Sequence, residues 1–177
     1  MKEGDKITIR DLLYSSLVGS TNNTVETLVR VSGLKRAEFI NRMNKTVKKW
    51  GTKNTNFVEP TGLSSKNVSS SLDYAIITKE AFKDGNLAKL ASTAVYTVKI
   101  NNVKKTIKNT NSLVGSKTYD VIGSKTGFTN EAGNCLMTRV ELKNKKNIIA
   151  VVLGNELKKD STADVEKLIE YASWKLQ

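Results

Sequence analysis

Two short clusters carry the side chains best suited to chemistry. Lys125-Thr126-Gly127 lies in the second half of the chain. An ammonium and a hydroxyl on one strand edge can hold a carboxylate and orient an acyl group. Glycine beside them lets a substrate backbone come close. The tripeptide alone is a weak signal in a chain this rich in all three residues. Ser20-Thr21-Asn22 sets a hydroxyl and an amide two residues apart. Both can face one cavity, yet Ser and Asn also favour helix caps, and taken alone the pair reads first as a cap. The absence of histidine excludes more. No Ser-His-Asp triad, Cys-His dyad or histidine metal site can exist here. Any nucleophilic chemistry must take its base from Lys, Asp, Glu or Tyr. No cofactor and no metal is expected.

The elements that position these clusters follow from periodicity. Thr8 with Asp11 three residues on reads as a helix N-cap, and Ile9, Leu12, Leu13 and Leu17 give that helix an apolar face. Gly19 to Asn23 breaks it. A second helix turns Val25, Leu28 and Val29 inward and stops at Gly33. A third runs from about Arg36 to Trp50, with Phe39, Ile40, Met43 and Val47 on one face. The stretch 52–67 is a loop with the sole proline, Pro60. Ser70 with Asp73 caps another helix to about Phe82, and a short one covers Leu87 to Ser92.

The period then changes. Val95 to Ile100 reads as a strand rich in β-branched residues, and Val121 to Thr126 as a second. Asn134 to Leu142 and Asn147 to Leu153 form a hairpin around Lys143 to Lys146. A last helix from about Thr162 buries Val165, Leu168, Ile169, Ala172 and Leu176. The expected class is α+β: a helical lobe over 1–93, then an antiparallel sheet and a terminal helix over 94–177.

Composition sets limits on function. The net charge is +12, which favours anionic partners such as nucleic acid, anionic lipid or an anionic cell-wall polymer. The lysines are spread over several clusters, and a solvated surface explains them as well as a dedicated patch. Only 6% of residues are aromatic and no basic-aromatic stacking surface is visible, so no nucleic acid is expected as partner. The longest apolar run, Ile148 to Leu153, is the length of a buried strand rather than a membrane span. The polar start, Met1 to Asp5, does not read as a signal peptide. Cys135 is the single cysteine and is expected to pack in the sheet; Trp50 and Trp174 also read as packing.

Order ties the two clusters together. Ser-x-Asn between helices, followed about a hundred residues later by Lys-Thr-Gly on a strand, resembles the second and third motifs of the serine penicillin-recognising enzymes. The flanks are similar too. Gly4 to Tyr14 resembles the helix entering the second motif of D-alanyl-D-alanine carboxypeptidases. Asn54-Thr55-Asn56-Phe57 with Pro60-Thr61-Gly62-Leu63 resembles their Asn-Thr-x-Phe…Pro-x-Gly-Leu loop. Asn109-Thr110-Asn111 resembles the segment before the third motif. Lys125 to Thr129 with Ala132-Gly133-Asn134-Cys135-Leu136 resembles their most specific signature.

The resemblance implies a β-lactamase/DD-peptidase-like fold, incomplete at its N-terminus, and acyl transfer. A serine attacks the penultimate D-Ala carbonyl of a peptidoglycan pentapeptide, a lysine one helical turn on acts as base, D-Ala leaves, and water hydrolyses the acyl-enzyme. β-Lactams mimic the D-Ala-D-Ala end. Carried over, Ser20 relays protons and Asn22 holds the substrate amide. Lys125 pairs with the terminal carboxylate, Thr126 assists, and Gly127 continues the binding strand. The resemblance also implies a place in the extracytoplasmic cell envelope.

Two departures stand out. Thr21 and Asn23 occupy positions where the family carries a small and an acidic residue. The Ser-x-x-Lys motif, expected several tens of residues before Ser20, is not among the nineteen residues that precede it. Ser32-Gly33-Leu34-Lys35 fits the spacing but lies after Ser20, at a predicted helix end. The chain is therefore expected to be a piece of a longer protein and inactive alone. Two other readings stay open. One is a non-catalytic peptidoglycan-binding remnant. The other is a class A β-lactamase-like hydrolase, because Glu59 sits where such enzymes keep a deacylating glutamate.

Overall fold

The computed structural model describes Lys2 and residues 4–176. Met1, Glu3 and Gln177, and with them part of the polar N-terminal stretch, lie outside the described residues. The first half is helical. Helix α1 spans Ile9–Leu17. The Thr8 hydroxyl accepts from the Asp11 N–H at 3.0 Å and donates to the Asp11 carboxylate at 2.7 Å, so one side chain both caps the helix and anchors its first acid. Helix α2 spans Asn22–Val31, α3 Arg36–Lys49, α4 Ser71–Ala81 and α5 Gly85–Ala91.

Strands β1 (Val95–Ile100) and β2 (Val103–Lys108) form an antiparallel hairpin. Its two turn residues, Asn101 and Asn102, have φ of 49° and 68°. Two left-handed residues in a two-residue loop match the right-handed strand twist, and asparagine tolerates them best after glycine. The hairpin is fastened to α1 by chemistry on one face. Tyr96 stacks on Tyr14 with centroids 3.6 Å apart and donates its hydroxyl to Asp11 at 2.9 Å.

Strands β3 (Asp120–Thr129), β4 (Gly133–Glu141) and β5 (Asn147–Asn155) form a three-stranded antiparallel sheet in that order. Helix α6 (Lys158–Lys175) covers one face. Leu136, Val140, Ile148 and Ala150 meet Val165 and Ile169 there, closed by Leu113 and Val114. Period-two alternation sends the intervening residues to the other face. Met137 there meets Thr78 of α4, whose hydroxyl lies 3.2 Å from its sulfur. Fully burying side chains of this size stabilises by about 1.5–3 kcal/mol each, so the sheet is held from both faces.

The structure corrects four expectations. Asn22 and Asn23 begin α2 rather than continuing the break, so the turn is only Val18 to Thr21. Strand β2 went unread, because Val103-Lys104-Lys105-Thr106-Ile107-Lys108 lies mostly on the surface and shows no apolar alternation. Helix α6 starts four residues before Thr162. Leu168 and Trp174 are not buried. Trp174 is 64% exposed and stacks obliquely on Tyr171, with the Lys175 ammonium 4.7 Å from its ring centre. No helix among the described residues is long and apolar enough to cross a membrane.

Candidate active site

A cleft runs along β3, from the α1–α2 turn to the start of α6, with a volume of about 980 Å³. One glycine fixes how the end of α4 meets β3. A Cβ added at Gly123 would lie 2.4 Å from the Phe82 ring, so only glycine lets α4's end press onto β3. Gly123 also follows a bulge in the β3–β4 ladder. Bulges re-aim the side chains beyond them, and the residues beyond this one are Lys125 and Thr126.

Lys125 turns toward the α1–α2 turn. Its ammonium donates to the Ser20 hydroxyl, 105 residues away, and to the Thr126 carbonyl at 2.7 Å. No carboxylate pairs with it among the described ion pairs. Burial disfavours the charged form and lowers its pKa from 10.5 to about 8. A half-buried cation with no anion beside an open cleft is suited to receive one. The Thr126 hydroxyl is 2.6 Å from that of Thr110. Gly127 is exposed, and a Cβ there would meet nothing nearer than the Cys135 Cβ at 3.7 Å. A substrate backbone can therefore lie along this edge.

Ser20 is held in an uncommon conformation, with φ of 51°. Its neighbours impose it. The Thr21 N–H and hydroxyl both turn back to the Ser15 carbonyl, at 3.2 and 2.5 Å. The Thr21 carbonyl then receives the Thr24 hydroxyl at 2.6 Å, opening α2. Non-glycine residues pay about 1–2 kcal/mol for the left-handed region, and such cost collects at functional sites. Asn22 follows at the first turn of α2 and lines the same cleft. All five residues singled out from the sequence, Ser20, Asn22, Lys125, Thr126 and Gly127, line this one cleft.

The far wall is the loop between α3 and α4. Asn44 clamps it by donating to the Phe57 carbonyl at 2.7 Å and accepting from the Phe57 N–H at 2.8 Å. Glu59 organises its tip. Its carboxylate accepts from the N–H groups of Thr61 and Gly62, both at 2.7 Å, from the Thr61 hydroxyl at 2.5 Å and from Asn67 at 2.6 Å. Burial pushes this carboxyl up, but the Thr61, Ser64 and Gly62 donors outweigh it and hold the pKa below its ordinary value. Both oxygens are thus committed to the loop.

Sequence reasoning assigned no role to Thr110 or Tyr74, which also line the cleft, or to the cleft position of Cys135. Thr110 carried a signal, its place in the Asn109-Thr110-Asn111 stretch. Tyr74, a lone aromatic on a helix, carried none. Cys135 does sit in the sheet, half-buried opposite Gly127. Ser32 and Lys35 end one helix and begin the next on the surface, so they do not form a rigid one-turn pair.

Comparison with known proteins identifies the family and the fold. The family model for D-alanyl-D-alanine carboxypeptidase matches residues 1–157. The chain is 34% identical over 175 residues to the D-alanyl-D-alanine carboxypeptidase DacF of Bacillus subtilis, covering 97% of this chain and 44% of that protein. It is 34% identical over 170 residues to a D-alanyl-D-alanine endopeptidase of Pseudomonas aeruginosa, covering 95% of this chain and 54% of that one. Among solved structures, a serine-to-alanine mutant of the Streptomyces K15 DD-transpeptidase superposes with a TM-score of 0.88 at 28% identity, over 97% of this chain and 70% of that one. The ampicillin-bound penicillin-binding protein D2 of Listeria monocytogenes gives 0.78 at 32% identity, over 93% and 67%. The chain spans about half the length of the curated relatives it matches. The helical half, the antiparallel sheet under α6 and the Ser20–Lys125 cleft together have the DD-peptidase fold, and the chain belongs to the D-alanyl-D-alanine carboxypeptidase family.

Proposed function

We propose that this chain supplies the substrate-binding and proton-relay part of a serine-type peptidase acting on peptidoglycan stem peptides that end in D-Ala-D-Ala. The observation that carries the reading is the half-buried Lys125 ammonium, which has no carboxylate partner among the described ion pairs and touches Ser20 on an open cleft. The terminal substrate carboxylate pairs with Lys125, and Thr126 steadies it. The peptide lies along Gly127 as an added strand. Asn22 holds the amide before the scissile bond. Ser20, kept by Lys125 in one orientation, passes the proton toward the departing D-Ala nitrogen. Such groups act by being fixed before the reaction, and the strained turn at Ser20 fixes them. The cleft runs between a helical lobe, 1–93, and a sheet lobe, 94–177, which we read as one partial domain working outside the cytoplasm, in the cell envelope.

The attacking serine of the family is paired with a lysine one helical turn away. Among the described residues lining this cleft, no serine has that partner: Ser16, Ser20, Ser64, Ser65, Ser69 and Ser161 precede, by three residues, Gly19, Asn23, Asn67, Val68, Leu72 and Asp164. We infer that these 177 residues bind the substrate without being acylated. The commitment of both Glu59 oxygens to the loop speaks against a deacylating glutamate of the lactamase kind.

Calorimetric titration with a peptide ending in D-Ala-D-Ala, against the same peptide amidated at its C-terminus, tests the reading. Binding of the free acid, lost on amidation and in Lys125→Met, is expected. Equal binding of acid and amide would overturn the role of Lys125. A covalent benzylpenicillin adduct in the intact mass would overturn the inference that the chain is not acylated.

A further inference from the structure

The β1–β2 hairpin carries a feature that the cleft does not use. Its register pairs Val95 with Lys108, Thr97 with Thr106, and Lys99 with Lys104, and these six residues share one face. All six are exposed. The opposite face is the one fixed to α1 through Tyr96 and the buried Val98. Residues 95–108 contain four lysines and no acid. None of these lysines takes part in the ion pairs among the described residues. Lys99 and Lys104 stand directly opposite each other, and like charges in that position destabilise a hairpin. Fold stability gives no reason for the arrangement, whereas a bound anion would reverse its sign.

We propose that this face is a docking track for a linear, phosphodiester-rich polyanion of the cell wall. Lys104 and Lys108 lie four residues apart on β2, about 13 Å along the strand, and Lys99 stands beside Lys104 at about 5 Å. That is a row of ammonium groups along an extended path, with the Thr97 and Thr106 hydroxyls, 3.4 Å apart, between them. The face has no aromatic side chain for base stacking, which disfavours a nucleic acid. The hairpin tip is Asn101-Asn102 rather than an apolar wedge, which disfavours insertion into a bilayer. The track is coupled to the cleft, since Ile107 reaches the turn at Gly19 and Thr110 follows β2 into the cleft wall. A polymer held here would keep the cleft near its insoluble substrate. The proposal rests on the reading of the chain as part of a wall peptidase.

The test is titration with poly(glycerol phosphate) at several salt concentrations. The patch variant is Lys99→Gln/Lys104→Gln/Lys108→Gln, and the control is Lys45→Gln/Lys48→Gln/Lys49→Gln, which removes the same charge from exposed positions on α3. The patch variant should bind at least tenfold more weakly, and its log-affinity against log-salt slope should fall by about 2, as for three lost contacts to a flexible polyanion. The control should change by less than threefold. Equal loss in both variants, no polymer binding, or tighter binding to oligo-dT or to phosphatidylglycerol vesicles overturns the proposal. Binding of the D-Ala-D-Ala peptide, measured on the same variants, reports the cleft separately. If polymer binding fails while peptide binding persists, only the docking track is refuted.

Discussion

The Lys125 ammonium donates to the Ser20 hydroxyl, joining β3 to the α1–α2 turn across 105 residues of chain. Burial without a counter-ion lowers this lysine's pKa to about 8 from 10.5. Between those pH values the unfolded chain holds more protons on the group than the native protein does, so native stability rises with pH across that window. Urea midpoints of the wild type should therefore increase from pH 8 to 10 relative to Lys125→Met, which lacks the group. Affinity for a C-terminal carboxylate should move the opposite way. It needs the ammonium, so it should fall about tenfold per pH unit above pH 8. A wild-type affinity that is flat through pH 9 would show that the carboxylate is held elsewhere.

Ser20 carries a second, separable consequence. Its φ of 51° is a conformation glycine adopts without cost. Ser20→Gly should raise stability by about 1 kcal/mol, while Ser20→Ala, which keeps the strain and loses the hydroxyl, should not. Both should disturb Lys125 equally, by removing its hydroxyl partner. Thermal unfolding of the pair separates strain from hydrogen bonding. If Ser20→Gly is no more stable than Ser20→Ala, the turn is not strained.

What could be read in advance divides along a physical line. Local signals sufficed for Thr8 and Asp11, and for Ser70 and Asp73, because a capping hydroxyl and the N–H that donates to it are three residues apart. Lys125 on β3 and Ser20 between two helices were legible for the same reason. The contact between them was not, since nothing local encodes which strand end meets which turn; only the resemblance of the paired motifs suggested it. Strand β2 stayed hidden because its outer face is lysine and threonine, and its pairing with β1 is specified by the Asn101-Asn102 turn rather than by alternation. Leu168 was assigned inward by periodicity, which reports an apolar stripe and not what covers it, and Trp174, read as packing, is 64% exposed.

Gly123 lets the end of α4 pack closely on β3, two residues before Lys125. A methyl group there would overlap the Phe82 ring at 2.4 Å, and Phe82 is buried with its carbonyl receiving Arg139 at 2.9 Å. Gly123→Ala should therefore cost about 1–3 kcal/mol. Adding Phe82→Leu should recover part of that loss, because the two residues act through one contact. Purely additive losses in the double variant would mean that the ring moves aside without cost.

Asp73 ties the cleft wall to α4 and gives the chain an acid-sensitive point. Its carboxylate accepts from the Asn54 N–H at 2.6 Å, the Thr55 hydroxyl at 2.8 Å and the Lys53 N–H at 3.1 Å. Burial raises its pKa, but the Thr55, Asn54 and Lys53 donors prevail and set it below the ordinary 3.8. A carboxyl with a depressed native pKa contributes stability that is fully present above the unfolded value and is lost as pH falls through the native one. An amide in its place can accept on one side only and turns an NH₂ toward donors on the other. Asp73→Asn should therefore lower the melting temperature at pH 7, and the gap from wild type should close below pH 3.8. Because Thr55 leads directly into the loop that Asn44 and Glu59 hold against the cleft, amide exchange over 53–69 should quicken in the variant more than over α6. Uniform quickening across the whole chain would instead make Asp73 a general support of the fold with no special hold on the cleft wall.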